Sequence, residues 1–353
     1  MATFNDTFEL FPNAEHDTRV ILTHFYIFLE NLSMTFVKFE FYLCFLGVAL
    51  TIFHLIILTR KSMRTSSIMS IMISIAICDL ISMLDAIGYR DIVLNFEIQE
   101  CTSPLTFFEM HAFSVMQAIR DNVIRCSTWL SVTMALKRYL VLKLAVKGGS
   151  QLISGFSFGF KAFGVAAVVS TMLTIGFALR VKVVLVGEWK PAEHCPNDLP
   201  TVPIYDTLPS DLFTAHNGLF LRIFMFINGF VSKILPCILF PILTGLLIFE
   251  LQGAQKNRTD KRAERTTGLV IFMTVSFFIA LLPAGLITSL QAVYTDVGFL
   301  YMSTFVDIIC ASLLTLNATL HCFVCYAMSS QYRKTAKVIL RIEEVIRADK
   351  SEN

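Results

Sequence analysis

The chain has 353 residues, 55% of them hydrophobic and 16% charged, with a mean hydropathy of +0.66 and 32 phenylalanines. Soluble domains carry about 25% charged residues, so this composition excludes an ordinary water-soluble enzyme and points to a bilayer as the solvent. The formal net charge of +2 singles out no partner, nucleic acid included; the placement of the charges is what informs.

In chain order, residues 1–38 read as an extracellular N-terminal segment. Its apolar stretch Val20–Leu29 is too short to span, is broken by His24, and lacks the basic start and small-residue cleavage site of a signal peptide. It reads as a stretch lying near the membrane. Asn5 and Asn31, in Asn5-Asp6-Thr7 and Asn31-Leu32-Ser33, are the glycosylation candidates.

A spanning helix needs about 20 mostly apolar residues. Seven blocks qualify: Phe41–Thr59, Ile68–Gly88, Phe107–Leu142, Ile153–Val186, Leu219–Leu251, Thr267–Val293 and Val297–Ala327. The third carries Arg120, Asp121 and Arg125 in its middle. The expected fold is an all-α membrane protein, a seven-transmembrane helix bundle over 39–327, followed by a cytoplasmic tail over 328–353. In that tail Val338, Ile339, Ile342, Val345 and Ile346 recur at near-helical spacing among bases, which predicts a short amphipathic helix. The connection from Gly187 to Asn217 holds five prolines and reads as an irregular loop.

Lysine and arginine set the orientation. Arg60, Lys61 and Arg64 follow span one, Lys143 and Lys147 span three, Lys256 to Arg265 span five, and Arg333, Lys334 and Lys337 the last. The opposite connections are acidic, which places the N-terminus outside and the C-terminus in the cytoplasm of a plasma-membrane protein. Seven of nine cysteines lie in apolar blocks, and Cys101 and Cys195 lie in outside loops. On that oxidising side one disulfide between them is the economical reading, and two unpaired thiols the other.

Ionisable residues inside a span normally face the bundle and mark function or internal pairing. Asp79 lies in the second block, Asn317 in the last, Arg138 at the inner end of the third, and Pro283 in the sixth. Their joint order, with "HLIILTRKSMRTSS", "RCSTWLSVTMALKR", "SKILPCILFPILTGLLIFEL" and "MSSQYRK", resembles the rhodopsin-like G-protein-coupled receptors. The finer resemblance is to the nematode serpentine receptors of class W, which are similar to arthropod myosuppressin and sex-peptide receptors.

That resemblance implies a non-enzymatic receptor for a short, plausibly amidated peptide, acting on a heterotrimeric G protein and open to arrestin. It gives Arg138, Tyr139 and Glu264 to G-protein coupling, and Phe277, Leu281 and Pro283 to the sixth-span switch. Asp79, Ser127 and Asn317 would form a polar cluster able to hold a sodium ion, with His321 where relatives commonly place an amide. No other cofactor is implied. Glu109, Arg120, Asp121, Asp296 and Asp307 are the candidate ligand contacts near the outer ends of the spans, although Arg125 and Asp121 could pair with each other. An acid-rich outer face would draw a basic peptide.

The chain departs from the family's pattern at several positions. Lys137 stands where an acid usually precedes Arg138, Leu281 replaces a tryptophan, Thr51 an asparagine, and His321 to Cys325 the usual Asn-Pro-x-x-Tyr. His321, Cys322 and Cys325 lack a fourth ligand for a metal. Cys101 lies 37 residues before Arg138, which predicts an expanded loop between spans two and three. The alternative functions are a chemosensory receptor for a small molecule and, further off, a transporter or channel, which would show inverted repeats or half-helices; neither is evident.

Overall fold

The computed structural model describes residues 10–340 apart from 13, 65–66, 99–100, 102, 147–155, 192–194, 196–199, 256–260 and 295, with backbone alone over 91–98, 142, 144–146, 251–255, 261–270, 272–273 and 328. Long apolar stretches settle as helices because a helix satisfies its backbone N–H and C=O groups internally, which lipid cannot do. The helices are α1 (His16–Leu58), α2 (Ser67–Ile98), α3 (Phe107–Val146), α4 (Ser157–Leu179), α5 (Asp211–Gly229), α6 (Leu235–Gln255), α7 (Lys261–Leu290), α8 (Val297–Met328) and α9 (Ser330–Ile339). Five segments, His16–Leu58, Ser67–Arg90, Ser157–Leu179, Asp211–Glu250 and Val297–Ala327, are long and apolar enough to cross a membrane. The protein is a helical membrane bundle.

Burial is inverted relative to a water-soluble bundle. Phe45, Leu46, Val165, Met172 and Phe249 are exposed, whereas Glu40, Asp79, Arg90, Arg120 and Arg125 are buried. α1 lies along α2 and α8, α3 packs against α2, α4 and α6, and α7 joins α8. α5 and α6 make one rod through a π-helical turn over Phe230–Ile234, in which the Leu235 N–H reaches the Phe230 carbonyl. Pro236 follows at once and has no N–H to continue the regular ladder, so the wider turn takes up the misfit. Near its start α5 is broken at Ala215, and His216, Asn217 and Gly218 follow with φ of 52°, 60° and 73°.

Three expectations are corrected. α1 starts at His16 and runs to Leu58 without a break, with Val20–Leu29 inside it rather than in a separate membrane-lying stretch. Its early turns are held by packing, since Tyr26 and Leu29 are buried with Phe11 and Met302 against α8. Asn31 therefore lies on a helix, its side-chain amide donating to the Ile27 carbonyl at 2.9 Å; Asn5 lies outside the described residues. The fold is not purely α. Val181–Trp189 (β1) and Val202–Pro209 (β2) pair antiparallel, with a register shift between Leu185 and Gly187. The valine-rich run VKVVLVGEW favours a strand, and prolines at the ends of β2 do not break its ladder.

The connection from α2 to α3 is short as well. α2 ends at Ile98 and α3 begins at Phe107, so the residues attributed to an expanded loop lie in the helices. α3 alone has 40 residues, about 60 Å at 1.5 Å per residue. Cys101, just before α3, is joined to Cys195 beyond β1, with Cα atoms 5.6 Å apart. Closing a chain segment of 94 residues removes much denatured-state entropy, and losing such a bridge costs on the order of 2–5 kcal/mol. Cys101→Ala and Cys195→Ala are each expected to lower surface expression several-fold, and the double variant no further than either alone. Additive losses in a surface-labelling assay would contradict the bridge.

Candidate functional site

α3 sets the site. Arg120, Ile124, Ser127, Ser131, Met134 and Arg138 recur at intervals of three or four on one helical face, and each lines a cavity. α7 and α8 supply facing walls. There are cavities of about 200, 40 and 150 Å³. The first and second share Ile124, Thr128, Ala311 and Leu314; the second and third share Ser131, Phe277, Asn317 and His321. They follow one another from the hairpin end of the bundle to the α9 end.

The first cavity brings together Arg120, Asp121 and Asp307. Glu109 and Asp296 do not line it. Glu109 is exposed and accepts from the Thr106 N–H and hydroxyl, each at 2.8 Å, while Asp296 immediately precedes α8. Arg125 does not pair with Asp121; it donates to the Ser170 carbonyl at 2.9 Å and the Thr174 hydroxyl at 3.2 Å. Asp307 is held by Lys233, whose Nζ lies 2.6 Å away and also donates to Thr288 at 3.0 Å. Lys233 reaches inward from the π-helical turn, and such turns often mark functional sites.

Behind this cavity lies a cluster that the sequence reading missed. Glu40 of α1 is fully buried and accepts from Arg90 Nε at 2.8 Å, from Arg120, and from Thr315 at 2.9 Å. One carboxylate thus ties α1, α2, α3 and α8 together. The acid-rich character expected outside does not extend inward, because Arg90, Arg120, Arg125, Arg180 and Lys233 line the cavity against Asp121 and Asp307.

In the second cavity the Ser127 hydroxyl donates to Asp79 Oδ1 at 2.8 Å, and His321 Nδ1 lies 3.3 Å from Oδ2. Asn317 Oδ1 is buried with no hydrogen-bond partner. A carboxylate, a hydroxyl and an orphaned amide oxygen around about 40 Å³ suit a hard cation with a water or two. These residues therefore fit the sodium ion implied by the family. Phe277 closes the cavity from α7, tilted 5.1 Å from Phe240, and is buried with Cys237 and Leu281. Pro283 lies within α7 one turn further on.

The third cavity is lined by Arg138, Met72, Phe240, Val324, Cys325 and Tyr332 among others. Among the described residues the Arg138 guanidinium has no hydrogen bond or ion pair. Lys137 is buried instead, 3.6 Å over the Phe158 ring of α4. The Tyr139 hydroxyl accepts from Lys143 at 2.9 Å; the Glu264 side chain lies outside the described residues. α9 is anchored by Tyr332, buried with its hydroxyl 2.8 Å from His54 and 3.4 Å from Cys322. Ile342, Val345 and Ile346 lie outside the described residues.

Comparison with known proteins agrees with this arrangement. The family model described as "Serpentine type 7TM GPCR chemoreceptor Srw" matches residues 38–343. The "G-protein coupled receptor dmsr-1" of Caenorhabditis elegans is 28% identical over 224 residues, 62% of this chain and 42% of that protein. The chain thus spans less than half the length of that curated relative. The match covers most of the chain and takes in all three cavities, and the chain belongs to the Srw family of serpentine G-protein-coupled chemoreceptors.

Proposed function

We propose that the chain is a seven-span plasma-membrane receptor that binds a short amidated peptide at its hairpin end and activates a heterotrimeric G protein at its α9 end. The continuity of the three cavities carries this reading, because one face of α3 connects the first cavity to Arg138. Arg60, Lys61 and Arg64 follow α1 at the α9 end, where Arg333, Lys334 and Lys337 lie on α9 itself. The positive-inside rule makes that end cytoplasmic, with arrestin a second partner there. A ligand at the hairpin end would shift the bundle by binding one arrangement more tightly than the other.

A small chemosensory ligand is the second reading. The first cavity, at about 200 Å³, falls below the roughly 300–1,000 Å³ of drug-sized pockets. A peptide would place only a terminal residue or two inside. The deciding experiment expresses the full chain and measures GTP exchange against a panel of amidated peptides and a panel of small organic molecules. A response confined to the small molecules sinks the peptide reading, and silence to both sinks the receptor reading.

The polar cluster gives a finer expectation. Asp79, Ser127 and Asn317 would hold sodium, and His321 competes for the same carboxylate. Sodium is expected to shift agonist affinity more in His321→Asn than in the parent, within the roughly 5–150-fold range of allosteric couplings. Binding isotherms in sodium and in a bulky organic cation at equal ionic strength check this. Identical sodium responses in the two proteins would remove the competition.

A further inference from the structure

The charges of the first cavity do not balance. Lys233 is neutralised by Asp307, and Glu40 neutralises only one of Arg90 and Arg120. Arg125 and Arg180 make no ion pair among the described residues, and Asp121 is the one further lining carboxylate. With the Asp85 carboxylate of α2, which also acts on Arg120, counted beside these, one positive charge is left over. The hydrogen bonding is incomplete in the same place. Arg120 has a side chain only 9% exposed, and its Nε is buried with no partner. Arg180 Nε is likewise without a hydrogen-bond partner, and among the described residues its guanidinium donates to the Met225 sulfur and lies over the Phe177 ring.

Buried guanidinium groups are costly unless paired and hydrogen-bonded. Their fork of N–H donors matches a carboxylate better than any other common group. We infer that the ligand of this cavity carries a carboxylate, received by Arg120 and Arg180, with Glu40 and Arg90 holding Arg120 in place from behind. This rests on the receptor reading above and adds the chemistry of the ligand. A peptide with an acidic side chain has that chemistry, as does a free organic acid.

The test uses the purified full chain in lipid nanodiscs and two isosteric probes, N-acetyl-aspartic acid amide and N-acetyl-asparagine amide. They differ in one charge. A ligand that binds the folded state alone raises its melting temperature, and at about ten times its dissociation constant the shift is on the order of 2–4 °C. The aspartate probe is expected to give such a shift and the asparagine probe none, with the difference lost in Arg120→Gln and in Arg180→Gln. Arg180 is only part-buried, so its variant decides the matter if Arg120→Gln does not fold. Succinate run in parallel separates a free acid from a peptide side chain, because a peptide site prefers the capped aspartate. Equal shifts from both capped probes, or shifts undiminished in the variants, overturn the inference. Signalling is read separately. GTP exchange evoked best by ligands lacking any acidic group would overturn the carboxylate and leave the receptor standing, whereas silence to every ligand would strike the receptor reading and leave the thermal result valid.

Discussion

Glu40→Gln is expected to destabilise the folded receptor by about 3–5 kcal/mol, the usual cost of removing one partner from a buried ion pair. Glu40 is fully buried and its carboxylate serves two guanidinium groups, Arg90 and Arg120, whose side chains are 1% and 9% exposed. A glutamine keeps the shape and an acceptor oxygen for Thr315, so packing is nearly unchanged. What it removes is the charge that ion-pairs with both buried cations. The midpoint of thermal inactivation in detergent should fall by roughly 5–10 °C. Arg90→Gln in the same chain should recover part of the loss, because one buried cation is less unfavourable than two facing each other, and coupled neighbours are non-additive. A single variant as stable as the parent, or a double variant losing the sum of both changes, would show that the cluster is not an ion-pair network.

The same residue shows why the sequence was legible only in part. Seven apolar blocks are visible because lipid-facing positions must be apolar, and the limits of the third and the last fall close to those of α3 and α8, whereas α2 runs ten residues past its block and α4 ends before Val181. Glu40 and Arg90, however, fall just outside the apolar blocks Phe41–Thr59 and Ile68–Gly88. The structure places both inside the bundle, where each neutralises the other across 50 residues of sequence. Lys233 escaped for a different reason. It points inward because of a π-helical turn, and regular helical spacing does not register the extra residue. The hairpin was missed because Val181 to Val186 continues the apolar run of α4, and composition does not separate a strand from a helix over so few residues. Asp79, Ser127, Asn317 and His321 were legible through the resemblance to the receptor family rather than through periodicity, and the structure brings the four around one small cavity.

Arg138→Ala is expected to lower ligand-evoked GTP exchange by at least about tenfold while leaving surface expression within about twofold, because Arg138 has no hydrogen bond or ion pair among the described residues to lose. Most polar side chains in this bundle are committed; Asp79, Glu40 and Asp307 all hold fixed partners. Arg138 instead lines the third cavity beside Phe277, Asn317 and Tyr332, at the end assigned to the cytoplasm. A guanidinium lining that cavity is suited to carbonyl oxygens brought by another protein. At the position where relatives carry an acid, this chain has a cation, buried 3.6 Å over Phe158, which fastens α3 to α4 and offers Arg138 no restraint. Lys137→Glu should supply that restraint, reducing basal GTP exchange in the absence of ligand, although it also gives up the contact with Phe158. Arg138→Ala receptors that reach the surface and still couple within about threefold of the parent would show that the α9-end cavity engages the G protein through other residues.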